Sequence, residues 1–261
     1  MLLPDKGKPT TYNTIRKNYY IIIDNERMTV RKLRNNLGFY SIVSDGAVKE
    51  EEIIYDTDKK LLSGVGLELR KKITPERVYF SLVRINSLTN SYQLHEKKSF
   101  LGECEIDDQP SDFPVQIADT INNIFNNVFT INLVDVVKHT TPYIRIGIGG
   151  NKYKIVSGTG YEVIVSFEDL NIRDLRTGLK GEKRIFSIEM EDDPNYEKER
   201  EHVEGVIERY CKELVPVMKN RFEIAEALVR AKVVDKAELK KKKLEEKKKK
   251  KERKKAEEEE Y

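Results

Sequence analysis

Ile54-Tyr-Asp-Thr-Asp-Lys-Lys-Leu-Leu-Ser-Gly-Val-Gly-Leu-Glu-Leu-Arg-Lys-Lys72 ends in strict alternation. Val65, Leu67 and Leu69 fall on one face, while Glu68, Arg70 and Lys72 fall on the other. Period-2 alternation is the mark of a β-strand with two unlike sides. Here one of those sides is charged.

Working outward, the same period recurs. Tyr143 to Ile148 sets Ile144, Ile146 and Ile148 against Tyr143, Arg145 and Gly147, and Lys152 and Lys154 then oppose Tyr153 and Ile155. Gly149-Gly150-Asn151 between them predicts a β-hairpin turn. Tyr161 to Glu168 separates Val163, Val165 and Phe167 from Glu162, Ile164, Ser166 and Glu168. Ile185 to Glu191 separates Phe186, Ile188 and Met190 from Ser187, Glu189 and Glu191. With Asn18 to Asp24 and Tyr79 to Ile85, the pattern predicts about seven or eight strands in an antiparallel sheet or barrel. Helical spacing marks Thr29 to Asn36, Val115 to Asn127, and a long amphipathic run Asn195 to Leu228 with a break near Pro216.

Composition bounds the rest. The 261 residues carry a net charge of +3. The segment from Val233 to Tyr261 alone has 13 Lys/Arg against 9 Asp/Glu, leaving 35 against 36 for residues 1–232. The basic surplus thus belongs to the tail, and no specific nucleic-acid partner is predicted for the domain. The lysine runs Lys240 to Lys243 and Lys247 to Lys251 make the tail a segment able to contact polyanions, with interleaved glutamates weakening its field. Cys104 and Cys211 stand alone, without disulfide or zinc spacing, which fits a reducing cytoplasm. No signal peptide or membrane span is legible. His95, His139 and His202 are scattered, without ligand spacing. The expected organisation is a flexible segment over 1–14, a folded β-rich domain over 15–232 and a Lys/Glu-rich tail, helical or disordered, over 233–261.

A strand that points Arg and Lys one way buries that face only by lining a wet cavity or binding anions. Arg70, Lys72, Arg84, Arg145, Lys152 and Lys154 are then candidate ligands of a polyanion such as a triphosphate. Glu189 and Glu191, two apart on one strand face, are candidate ligands for Mg2+ or Mn2+, hard cations that prefer oxygen. An open antiparallel sheet also carries such faces in solvent, and alternation alone does not choose. Asp24, Glu50 and Glu52 are spare carboxylates, the last two in a run, Lys49-Glu-Glu-Glu52, that reads as solvated.

The Ile54 to Lys72 run resembles the CYTH, or triphosphate tunnel, family, in which a Tyr-Asp-Thr run, a Leu-rich turn and a Leu-Arg-x-Arg strand follow one another. The later Tyr79 to Ile85 strand, the Glu96-Lys97-Lys98 run, the Lys138 to Arg145 region and Glu189-Met190-Glu191 before a helix are similar in order. The resemblance spans residues 15–225. It implies an α+β fold: an antiparallel β-barrel, or tunnel, with flanking helices. It also implies Arg70, Lys72 and Arg84 as triphosphate ligands and Glu189 and Glu191 as metal ligands. The family's first strand carries Glu-x-Glu-x-Lys, yet Asn18 to Asp24 offers no glutamate pair. Lys72 also replaces the second arginine, and Arg84 stands where a lysine is usual. The implied activity is a metal-dependent phosphohydrolase acting on inorganic triphosphate or a nucleoside triphosphate. Two alternatives stand beside it: a non-catalytic polyphosphate- or nucleotide-binding module, and class IV adenylate cyclase-like chemistry.

Overall fold

The computed structural model describes residues 13–90, 93–105, 115–128, 136–191 and 193–232. The tail 233–261 and residues 1–12 of the expected N-terminal segment lie outside the described residues. Asn13 and Thr14 already belong to the first strand.

The strands are β1 (Asn13–Ile21), β2 (Ser41–Asp56), β3 (Leu67–Ile73), β4 (Val78–Asn90), β5 (Gln93–Glu105), β6 (Thr141–Val156), β7 (Glu162–Asp174), β8 (Lys180–Glu191) and β9 (Leu214–Val217). The helices are α1 (Glu26–Asn36), the single turn α2 (Leu61–Gly64), α3 (Val115–Val128), α4 (Glu197–Tyr210) and α5 over 221–232. The strand order is β5-β4-β3-β2-β6-β7-β8-β1-β9. One edge of β1 pairs β8, while its other edge pairs β5 over Asn13–Arg16 and then β9 over Asn18–Ile21. The β1–β5 ladder brings the two ends of the sheet together around a lumen, giving the tunnel-like α+β arrangement that the resemblance implies.

Several sequence expectations are corrected. The first strand starts at Asn13 rather than Asn18, so Ile22 and Ile23 fall beyond it and are exposed. Gly149-Gly150 is no hairpin turn: β6 runs on through it, in unbroken register with β7 from Ile144 to Val156. Gly150 has φ +124°, and a Cβ there would lie 1.9 Å from the Phe167 carbonyl oxygen. Glycine is therefore required for close approach of two strands, not for a reversal. The break near Pro216 is a whole strand, β9, separating α4 from α5. α1 opens at Glu26, capped by Asn25, whose side chain accepts from the Met28 amide. Besides β9, two strands are absent from the sequence-based expectation. One is β2, which carries a bulge at Asp45-Gly46, where the pairing to β6 shifts between Ser44 and Ala47. The other is β5.

Alternation divides the apolar residues among three clusters. On the outer side, Tyr19, Phe167, Phe186 and Ile188 pack with Leu33 of α1 and with Val203 and Ile207 of α4. Also outside, Leu67, Leu69, Phe80 and Leu82 pack under Ile117, Ile121 and Phe125 of α3. The third cluster is inside. Phe222, Ile224, Ala225 and Val229 of α5 pack on Ile54, Ile144, Ile146, Ile148, Leu170, Ile172 and Ile185. Those strand positions share parity with the charged lumen residues Glu52, Glu168 and Glu189. Half of the lumen is thus an apolar socket filled by α5, each fully buried aliphatic side chain contributing roughly 1.5–3 kcal/mol, and the other half is polar.

Candidate functional site

The polar half of the lumen is a cavity of about 200 Å³. Its charged lining is Arg16 from β1, Glu50 and Glu52 from β2, Arg70 and Lys72 from β3, Lys152 from β6, Glu168 from β7, Glu189 from β8 and Arg221 from α5. Each strand residue reaches the lumen through its parity. Arg16 faces Glu189 across the β1–β8 ladder, and Ser166 faces Ser187 across β7–β8. Arg221 gets there differently. Asn220 and Glu223 form a reciprocal capping box, Asn220 Oδ1 accepting from the Glu223 amide at 2.8 Å and Glu223 Oε2 from the Asn220 amide at 2.9 Å. That start places Arg221 at the first turn of α5, where the apolar socket gives way to the polar half.

The charges form one alternating chain. Arg16 donates to Glu189 Oε2 at 3.0 Å and to Glu168 Oε1 at 2.7 Å. Arg221 holds Glu168 with two donors, at 2.9 and 3.1 Å, and Glu52 at 2.8 Å. Arg70 meets Glu52 at 3.4 Å and also pairs with Glu68. Burial alone would raise the Glu168 carboxyl, but Arg16 and Arg221 outweigh it and hold the group down at about 2. Arg221 is correspondingly held protonated by Glu168 and Glu52 despite the burial that opposes it. Toward the open end, Lys72 binds Glu50 at 2.7 Å. Burial lowers the Lys72 ammonium, and Glu52 and Glu50 more than restore it, so it sits above its ordinary value. Lys152 pairs with Asp45 at 3.3 Å and Lys154 with Glu162 at 3.0 Å.

Of the residues the sequence nominated, Arg70, Lys72, Lys152 and Glu189 line the cavity. Lys154 shares the Lys152 face of β6. Arg84 and Arg145 do not join them. Arg84 is paired in register with Leu67 on the outer face and is exposed, and Arg145 lies opposite Ile144 and Ile146 and pairs with Glu51 at 3.4 Å. Glu191 shares the side of Glu189 but ends β8, exposed. Asp24 lies outside the tunnel, bound to Arg184 at 2.9 Å. Glu52, expected in solvent, is 2% exposed and sits in the middle of the chain of charges. Sequence reasoning passed over Arg16, Glu168 and Arg221. Glu168 stands on one side of its strand with Glu162 and Ser166, Arg16 precedes the strand that the sequence places at Asn18 to Asp24, and Arg221 is signalled by the box Asn220-x-x-Glu223.

The carboxylates present do not fit a divalent cation site. Arg16 stands where a first-strand carboxylate would face Glu189, and it occupies Glu189 itself. Among the described residues no group of three or more His, Cys, Asp or Glu side chains converges. What the arrangement offers chemically is a set of guanidinium and ammonium groups, already oriented, whose present counter-ions are carboxylates. Among the described residues no helix is long and apolar enough to cross a membrane.

The chain matches no protein-family model and no curated protein. Among solved structures it is similar to a Hippeastrum protein assigned as an adenylyl cyclase and described as having a dominant triphosphatase activity, at 15% identity over 82% of this chain and 95% of that one, with a TM-score of 0.46. A Vibrio parahaemolyticus protein assigned as an adenylate cyclase follows at 12% identity, 82% and 98% coverage, and a TM-score of 0.43. The Schizosaccharomyces pombe Mediator head module gives the same score at 9% identity, with 78% and 98% coverage. At such scores none of these likenesses says what this chain binds or does.

Proposed function

We propose that the chain is a non-catalytic binding module whose tunnel mouth receives a triphosphate group, inorganic or carried by a nucleotide, without a divalent metal. The observation that carries this reading is Arg16. It puts a guanidinium on the first strand opposite Glu189, adding a cation to the lumen and removing a carboxylate from reach of any metal. Five cations then share the cavity with four carboxylates. An entering triphosphate brings several oxygens for each carboxylate it displaces, and guanidinium groups take phosphate oxygens in the same two-pronged geometry they use for Glu168.

One observation favours a second reading, the Mg2+- or Mn2+-dependent phosphohydrolase. Glu189 and Glu191 share one side of β8 near the open end, and the Glu189 side chain keeps 44% exposure, so a cation could reach it if Arg16 turned away. Phosphate release from inorganic triphosphate and from ATP with either metal, measured beside a Glu189→Ala/Glu191→Ala double variant, separates the two. The binding module releases none above the blank in either protein. Release by the native chain that disappears in the double variant would establish the hydrolase instead.

A further inference from the structure

The geometry points to a closed-ended tunnel that accepts the terminus of a short phosphate chain and refuses to let a long one thread through. This rests on the reading of the site just given and specifies its ligand class.

Two observations support it independently. The first is the floor. α5 fills the apolar half of the lumen, and Arg221, bound to Glu52 and Glu168, closes the polar half above it. The ion pairs Arg70–Glu52 and Arg70–Glu68 continue that floor to β3. A second cavity, of about 270 Å³, lies on the far side, between α5, β2, β3 and α2. Glu68, Asn220 and Phe222 line it, whereas Arg70 and Arg221 face the first cavity.

The second observation is the sign of charge across that floor. The near cavity carries Arg16, Arg70, Lys72, Lys152 and Arg221. Among the described residues, the far cavity is lined by Asp56, Glu68, Glu223 and Glu226 and by no Lys or Arg. These carboxylates are engaged within the protein. Asp56 takes the amides of Thr57, Leu62 and Ser63, Glu223 caps α5, and Glu226 pairs with Lys60 and accepts from the Tyr143 hydroxyl. Glu68 and Glu226 carry cationic partners, Arg70 for the first and Lys60 and Arg230 for the second, whereas Asp56 and Glu223 are held by backbone amides. A phosphate chain pushed past the floor would leave five lining cations for a cavity whose lining offers it none, and the charges of Asp56 and Glu223 would oppose it. Terminal phosphates therefore bind, and internal units of a long chain have no productive seat.

Calorimetric titration of the whole chain with linear inorganic triphosphate, a long-chain linear polyphosphate and cyclic tetrametaphosphate tests this, the last having comparable charge and no chain end. The expected result is that affinity counted per phosphate unit falls by about tenfold or more from triphosphate to the long chain, and that the cyclic ligand binds at least about tenfold more weakly than triphosphate. Equal affinity per phosphate unit, or a cyclic ligand as good as the linear one, would overturn the closed-end inference while leaving the anion site standing. Failure of all three to bind would overturn both.

Discussion

Arg221→Ala is expected to destabilise the chain by about 3–5 kcal/mol, the range found when one member of a buried ion pair is removed and its partner stays charged. Two buried carboxylates lose a donor at once: Glu168 loses a two-pronged contact and Glu52 a contact of 2.8 Å. α5 also loses the only charged residue by which its first turn is tied to the strands across the polar lumen, among the contacts described. Urea denaturation at neutral pH measures the loss. Arg221→Lys should recover part of it, since an ammonium keeps the charge but cannot span Glu168 and Glu52 with a rigid fork. A cost below about 1 kcal/mol, typical of a solvent-exposed pair, would mean that the floor is not the closed, desolvated structure described above.

Glu168→Gln should change stability and binding in opposite directions. The Glu168 carboxyl lies at about 2 in the folded chain against an ordinary value of 4.5. A depressed carboxyl stabilises the fold fully above its ordinary value, and that contribution disappears as pH falls through the folded value. The native chain should therefore lose on the order of 3 kcal/mol between about pH 4.5 and 2 from this group. Glu168→Gln should show that loss already at neutral pH and a flatter acid limb in the same window. Arg16 and Arg221 would meanwhile be released from a competing anion, so triphosphate should bind about tenfold more tightly to the variant. Weaker binding would show instead that Glu168 orients the two guanidiniums for the ligand. Thermal or urea unfolding across pH, with a parallel triphosphate titration, reads both effects.

Much of this was legible in the alternation. The sequence separates the two faces of β3, β7 and β8, which sets Arg70, Lys72 and Glu189, all of them cavity-lining, apart from the apolar positions of their strands. What alternation does not say is which face turns inward. On β4, Phe80 and Leu82 face out because α3 covers that side, and Arg84 goes with them; in sequence it is indistinguishable from a lumen residue. On β6 the same inner face carries Ile144, Ile146 and Ile148 at one end and Lys152 and Lys154 at the other, because α5 lies inside only half of the lumen. No local pattern announces a helix entering a barrel. Glu52 was hidden for a related reason. A run of four charged residues reads as solvated, yet every second member of a lumen-lining strand can be buried if guanidiniums meet it. Arg16 was displaced by an error of register: Ile21-Ile22-Ile23 attracts a strand assignment that the structure ends at Ile21.

The most direct test of a metal-free anion site is calorimetric titration of inorganic triphosphate into the native chain in EDTA, repeated with Mg2+ or Mn2+. The account predicts saturable binding at one site per chain in EDTA, weakened by Arg16→Ala and not strengthened by either metal. Binding that appears only with metal present, and that vanishes in the Glu189→Ala/Glu191→Ala variant, would contradict it.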